Sequence, residues 1–261
     1  MFFYPRYELK YVIKESVAQA IASKLLGHCH LDDNGKDGTY RNESLYYDSP
    51  GFDFFYHKID GVKLRRKIRI RRYGDSGPWE RVFVEIKRRN GKFIEKARLS
   101  LQTNLLPLLF NPAGKERIIK TLSPREIQVY NEIISISQIY NVQPVVFISY
   151  KRKAFWADGN EKLRITFDSD LSCDAVNLDS LAVLNNRQSM MSQDLIVMEI
   201  KANGKVPFWA LRLVQEYGCH MTRLSKYCLG VQCLYNLGGN YFDSFKKSYS
   251  VSCEQNIKSA L

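Results

Sequence analysis

The sequence predicts an α+β fold built on about eight antiparallel strands with flanking α-helices. Three observations predict it. The stretch Lys63–Arg72, KLRRKIRIRR, read as a strand, puts Lys63, Arg65, Lys67, Arg69 and Arg71 on one face and Leu64, Arg66, Ile68, Ile70 and Arg72 on the other. Nearly every other strand-like segment repeats an Arg or Lys on one face and apolar residues on the opposite one. Tight-turn signals such as Asn90-Gly91 and Asp158-Gly159 join adjacent segments, as antiparallel neighbours require.

The elements follow in order. Phe2–Tyr11 reads as a strand, with Arg6, Glu8 and Lys10 on one face. Lys14–Leu26 has helical spacing, and Gly27 stands where a C′ glycine ends a helix. His28–Gly38 is polar and turn-rich. Tyr40–Asp48 is a strand closed by Asp48-Ser49-Pro50-Gly51, a turn signal. Phe52–Ile59 is a short aromatic helix or turn before the basic strand, and Gly74–Pro78 is a turn after it. Glu80–Arg89 and Lys92–Leu101 form a hairpin. From Asn104 to about Ile139 the pattern is helical, with Ser123-Pro124 as N-cap and first-turn proline. Val145–Trp156, Glu161–Asp170 and Asp194–Lys201 are strands, and residues 172–193 read as irregular. Pro207–Tyr217 and Ser225–Asn236 are helices. Residues 1–237 read as one domain, and 238–261, rich in Gly, Ser, Lys and Asn, as a flexible tail.

At 261 residues and 45% hydrophobic content the chain can bury a full core, which excludes a disordered protein. A net charge of +12 points to a polyanionic partner or substrate. No stretch approaches the ~18 apolar residues of a membrane span, and the start lacks a signal-peptide pattern, so the expected location is the cytoplasm. The six cysteines include no C-x-x-C pair and are expected as reduced thiols. No RNP-like motif or recognition helix supports a nucleic-acid partner.

Two architectures accommodate the charged faces. One is a sheet with a wet outer face. The other is a barrel turned inside out, in which helices cover the apolar faces and the cations line a tunnel holding water and polyanions. In the second, Phe83, Glu85 and Lys87 share a face, as do Ile94, Lys96 and Arg98, Tyr150 and Arg152, Lys162, Arg164, Thr166 and Asp168, and Glu199 and Lys201. Isolated glutamates among those cations suit a hard divalent cation held beside phosphates.

The segments SLYYDSPGFDFFYHKIDG (44–61), RIRRYG (69–74), VFVEIKR (82–88), SYKRKAF (149–155), LRITFDSDL (163–171), VMEIKANGKVPFW (197–209) and RLSKY (223–227) together resemble the VTC domain. That is the catalytic domain of the vacuolar transporter chaperone polyphosphate polymerase, a branch of the CYTH-like triphosphate tunnel superfamily. The resemblance runs over about residues 4–236. It implies a closed antiparallel β-barrel of about eight strands forming a basic tunnel, with Mn²⁺ or Mg²⁺ as cofactor. It implies ATP and polyphosphate or triphosphate as substrates, and a separate membrane protein as a partner at the inner face of a membrane.

By the resemblance, Lys10, Arg69, Arg71, Lys87, Lys96, Arg152, Arg164 and Lys201 would line the tunnel and grip phosphates. Arg223, Ser225 and Lys226 would stand in its wall near the mouth. Tyr150 and Arg98 would contact substrate. Glu199 would bind the metal, with Glu85 and Glu8 as further candidates. The wider superfamily opens with E-x-E-x-K, whereas Arg6-Tyr7-Glu8-Leu9-Lys10 has Arg for the first Glu. Fewer carboxylates favour a polymerase over a two-metal hydrolase. A tunnel-fold triphosphatase and a non-catalytic polyphosphate or inositol-phosphate binder are the alternatives.

Overall fold

A computed structural model describes residues 6–74, 80–91, 93–157, 163–177, 183–184 and 186–237. Its elements are β1 (Arg6–Lys14), α1 (Glu15–Leu25), β2 (Cys29–Leu31), β3 (Thr39–Asp48), α2 (Asp53–Ile59), β4 (Leu64–Tyr73), β5 (Arg81–Asn90) and β6 (Phe93–Gln102). Two 3₁₀ turns (Thr103–Leu108, Pro112–Gly114), α3 (Lys115–Ile119) and α4 (Pro124–Tyr140) follow. Then come β7 (Gln143–Ala157), β8 (Arg164–Asp174), β9 (Gln188–Ser189), β10 (Leu195–Asn203), α5 (Phe208–Glu216) and α6 (Lys226–Tyr235). The expected start of the first strand at Phe2, most of the turn to Pro78, Lys92, the Asp158-Gly159 turn, Glu161, Lys162 and the tail from 238 lie outside the described residues.

All pairing is antiparallel, in the order β1-β10-β8-β7-β3-β4-β5-β6, with β2 and β9 added to β7 and β8. β1, at one end of this path, comes back to β5, next to the other end. Glu8 of β1 accepts a 3.0 Å hydrogen bond from Lys87 of β5, so the sheet is curled. It is not the closed barrel expected. Among the described residues no backbone pairing joins β1 to β6, and both edges are engaged elsewhere. Ser100 N–H of β6 donates to Glu126 of α4 at 2.9 Å, and Lys10 C=O of β1 accepts from Thr222 N–H at 2.7 Å. Covering both edges protects them without ring closure.

The alternation read from the sequence decides what the curl encloses. On the outer face Ile68, Ile70, Val82, Val84, Ile86, Leu99 and Leu101 pack with Leu105, Ile118, Tyr130 and Ile133 of the 103–140 region. Ile165, Phe167, Ile196, Met198 and Ile200 pack under α1 and α5. A third apolar cluster lies inside the curl. There Val12, Tyr46, Val146, Ile148, Leu171, Cys173 and Val197 meet Tyr227, Cys228, Leu229 and Val231 of α6. Every residue of α6 from Lys226 to Gln232 is buried, as expected of a helix walled in on all sides. Gly230 makes the seat possible, because a Cβ there would lie 3.0 Å from Ile148 and Val146. Leu171 and Cys173 turn inward after a bulge at Asp170, whose φ is +51°.

Several expectations are corrected. The polar stretch after α1 contains β2, paired with β7. The α1 helix ends with Leu26 right-handed, and Gly27 does not take positive φ. Its N–H bonds Lys24 C=O, so a plain helical turn ends the element. Residues 104–123 form short turns and α3 rather than one helix, since Pro107 and Pro112 interrupt the ladder. The stretch 172–193 is not wholly irregular: β8 runs on to Asp174 and β9 pairs with it. Asn90 pairs with Phe93, so the hairpin turn lies one residue later than Asn90-Gly91, with Gly91 at φ +58°.

Candidate active site

The concave face divides into an apolar half, filled by α6, and a charged half. Cross-strand register aligns the charged half. Arg69 stands opposite Glu85 and Tyr46, Lys67 opposite Lys87, and Lys10 opposite Glu199, which is itself opposite Thr166.

Two networks result. In the first, Arg69 donates to Glu85 at 2.7–2.8 Å and to the Tyr46 hydroxyl at 3.0 Å, and Lys96 also pairs with Glu85. Arg71 donates to Ser44 at 2.9 Å and to the Tyr150 hydroxyl at 3.2 Å. In the second, Arg152 makes a two-pronged bond to Asp168 at 2.6 and 2.7 Å. Lys226 bonds Asp168 at 2.6 Å and Glu199 at 3.0 Å, and Lys201 bonds Glu199 at 2.5 Å. Lys10 stands 3.4 Å from Glu199 and 3.7 Å from Glu8.

Electrostatics follow from burial set against this crowding. Burial alone would raise Glu199, but Lys10, Lys201, Lys226 and Arg152 hold it well below the usual carboxylate range. Burial, Arg69, Arg71 and Lys96 act likewise on Glu85, held at about 2. Burial brings Lys96 down to about 8 against the pull of Glu85, with Arg69 and Arg71 pushing the same way. Burial also brings Lys201 to about 8, opposed by Glu199 and assisted by Arg152. Tyr46 is buried, yet Arg69, Arg71 and Lys67 pull its hydroxyl down to about 8. A phenol acidified in this way marks a field of uncompensated positive charge.

Most residues read from the sequence therefore meet on this face. Lys10, Arg69, Arg71, Lys87, Lys96, Tyr150, Arg152, Lys201, Ser225, Lys226, Glu8, Glu85 and Glu199 all join its two networks or border them. Arg164 is on the same face but spends its guanidinium on Asp32 and the Tyr40 hydroxyl, both at 2.6 Å. Arg98 lies exposed at the rim over the Phe83 ring, 4.6 Å from its centroid. Lys226 is corrected: it is buried at the start of α6, not at a mouth, because the helix it begins lies inside the curl. Its neighbour Ser225 caps that helix and accepts from Lys67 at 2.7 Å. Arg223 is exposed on the approach to α6. The sequence reading missed three partners. Asp168 holds Arg152, and the facing of β8 could have shown it. Tyr46 shares a face with Ser44 by simple alternation. Asp32 sits in irregular chain and carries no periodic signal.

Among the described residues no group of three or more His, Cys, Asp or Glu is placed to hold a metal. Glu85 stands apart with Arg69, while Glu8 and Glu199 share Lys10 and Lys201 as neighbours. One or two carboxylates beside a phosphate site fit a hard cation that takes its other ligands from phosphate and water.

A curled antiparallel sheet with such a lining presents a cation-rich concave face. The VTC domain family profile matches residues 5–235, and the chain belongs to that family. Among curated relatives, Vacuolar transporter chaperone complex subunit 4 of Trypanosoma cruzi (strain CL Brener) is 25% identical over 226 residues, 74% of this chain and 28% of that protein. Subunit 2 of the complex from Schizosaccharomyces pombe is 24% identical over 148 residues, 53% of this chain and 20% of that protein. The chain thus spans under a third of the length of these relatives. Solved structures with some similarity are the putative adenylyl cyclase HpAC1 from Hippeastrum, described with a dominant triphosphatase activity (TM-score 0.46, 16% identity, 85% of this chain and 93% of that one), and PH1819 from Pyrococcus horikoshii OT3 (TM-score 0.45, 15% identity, 89% and 99%). No helix among the described residues is long and apolar enough to cross a membrane.

Proposed function

We propose that the domain is an ATP-dependent polyphosphate polymerase. The observation that carries this reading is the convergence of Arg69, Arg71, Lys87, Lys96, Arg152, Lys201 and Lys226 on one walled face, with few carboxylates among them. Phosphoryl transfer asks a protein chiefly for positioning and charge neutralisation. The guanidinium groups of Arg69 and Arg71 match phosphate oxygens, while Arg152, its fork held by Asp168, adds charge beside them. Lys10, Lys87, Lys96 and Lys201 add point charges along the chain. Arg164, already held by Asp32 and Tyr40, borders the phosphates.

With the triphosphate of ATP so held, the terminal oxygen of a polyphosphate chain forms a bond to the γ-phosphorus. The γ-phosphorus–oxygen bond to the β-phosphate breaks, and ADP leaves with the electron pair. A divalent ion, Mn²⁺ or Mg²⁺, bound by Glu199 with Glu8 beside it, would supply charge neutralisation on the phosphate oxygens. Arg6 stands at the first position of the E-x-E-x-K pattern, and the one carboxylate fewer favours transfer to phosphate over transfer to water. The relatives are named as subunits of a complex, which supports assembly with another chain; on the polymerase reading that partner lies in a membrane, with this domain on its cytoplasmic side.

The purified chain, given ATP and Mn²⁺, is expected to make long polyphosphate. Free phosphate alone would identify a triphosphatase, and tight binding without turnover a sensor. Arg69→Ala and Arg71→Ala are each expected to lower synthesis at least ~100-fold with an unchanged circular dichroism spectrum. Full activity in both would sink the assignment.

A further inference from the structure

Among the described residues, the buried polar atoms of the charged concave face without a hydrogen-bond partner include Arg164 Nε, both ends of the Asn42 amide and the Thr166 hydroxyl. The Asn42 and Thr166 side chains are fully buried. Asn42 lies on β3 one place before Ser44 on the same face, between Tyr73 of β4 and Tyr150 of β7. Its neighbours in the adjoining rows are Arg71, opposite Ser44, and Arg152, opposite Tyr40. Thr166 lies on β8 between Ala154 and Glu199. Asn42 is thus next to cations of the phosphate site, and Thr166 lies beside Glu199 with Arg152 and Lys201 one row away.

A buried amide or hydroxyl without a partner costs the free protein about 1–3 kcal/mol. Sequences rarely keep such a cost unless something returns it. We propose, building on the polyphosphate reading, that Asn42 and Thr166 are phosphate-binding residues whose partners arrive with the ligand. Asn42 Nδ2 and Thr166 Oγ1 donate to non-bridging phosphate oxygens, and Asn42 Oδ1 accepts from a water carried on the anion. Neutral donors suit these two places. They add hydrogen bonds to the anion without adding to the repulsion among Arg71, Arg152 and their neighbours, and Thr166 can stand against Glu199 where a further cation would compete for it.

The roles predict opposite signs for two measurements on the same variants. Asn42→Leu and Thr166→Val keep shape and remove the orphaned atoms. In urea denaturation without ligand each should be as stable as the wild type or more so. In calorimetric titration with inorganic tripolyphosphate each should bind about tenfold more weakly, and the double variant about a hundredfold, because the sites do not touch. Thr166→Ser, which keeps the hydroxyl, should bind as the wild type does. Unchanged affinity in both single variants overturns the proposal, as does Thr166→Ser binding as weakly as Thr166→Val. A variant less stable without ligand, with affinity intact, shows the atoms already satisfied inside the protein and also overturns it. A wild type that fails to bind tripolyphosphate refutes the polymerase reading itself; a wild type that binds beside variants that bind equally well refutes only the roles of Asn42 and Thr166.

Discussion

Glu199 is surrounded by four cations, Lys10, Lys201, Lys226 and Arg152, within 2.5–3.9 Å. Burial, assisted by Arg152, brings Lys201 to about 8 in spite of its ion pair, whereas Lys10 and Lys226 of the same cluster are raised by their carboxylate partners. Lys96 is in the same condition beside Glu85. For both, the folded value lies below the ordinary 10.5, so protonation favours the unfolded chain. The stability these two groups confer is present above pH 10.5 and lost as the pH falls through about 8. A bound polyanion reverses this by raising both values. Tripolyphosphate binding at pH 8 should therefore take up protons, seen as a binding enthalpy that changes with the buffer's ionisation heat. The uptake should fade well below pH 8, and Lys96→Met with Lys201→Met should remove it. At this scale the cations themselves were legible, because alternation along Lys63–Arg72 assigns their face without any tertiary knowledge. Their counter-charges were legible only in part. Asp168 follows from the same alternation, whereas Asp32 reaches Arg164 from irregular chain and 132 positions away.

Helices α2 and α6 meet at one carboxylate. Asp48 accepts from the backbone N–H groups of Ser49, Phe54 and Phe55 at 2.7–2.9 Å and from the Tyr227 hydroxyl. Burial raises its pKa, and those four donors oppose the rise. The residue thus caps the start of α2 and ties α6 to the end of β3. Asp48→Ala leaves those buried donors unpaired, and the expected loss is about 2–4 kcal/mol in urea denaturation. Tyr227→Phe should cost about 1 kcal/mol, since the helix cap survives it. The turn signal Asp48-Ser49-Pro50-Gly51 announced the break in the chain, and Ser123-Pro124 announced α4, whose Ser123 and Glu126 form a capping box. Local chemistry is enough for such signals. The position of α6 was beyond them: its apolar residues mark a helix, but only the inward turn of Leu171 and Cys173 after Asp170 shows that it belongs inside the sheet.

For the whole molecule, charge is the dominant fact. Cations outnumber carboxylates on the concave face, and self-repulsion there opposes folding. An anion that binds the folded state alone should stabilise it by about 2.7 kcal/mol at a hundred times its dissociation constant. Tripolyphosphate should therefore raise the melting temperature by several degrees, an effect reduced by salt and abolished by Arg69→Ala with Arg71→Ala. An unmoved melting temperature at saturating tripolyphosphate would remove the polyanion site. The strand inventory, its facing and the two-sided distribution of charge were readable because each depends on a period of two residues. Ring closure was not readable, because it depends on which distant groups reach the edge strands, and Glu126 and Thr222 reached them first.

The gap between β1 and the β5–β6 hairpin is spanned by side chains, chiefly Glu8 of β1 with Lys87 of β5. That gives the cavity the topology of a slot rather than a bore. A polymer passing through a closed ring has to be threaded from one end, and a long product can leave only by sliding out lengthwise. On the polymerase reading, a slot closed by an ion pair would take a long chain sideways along its middle, because phosphate competes directly for the Lys87 ammonium. Loading along a seam does not depend on how far away the ends of the chain lie.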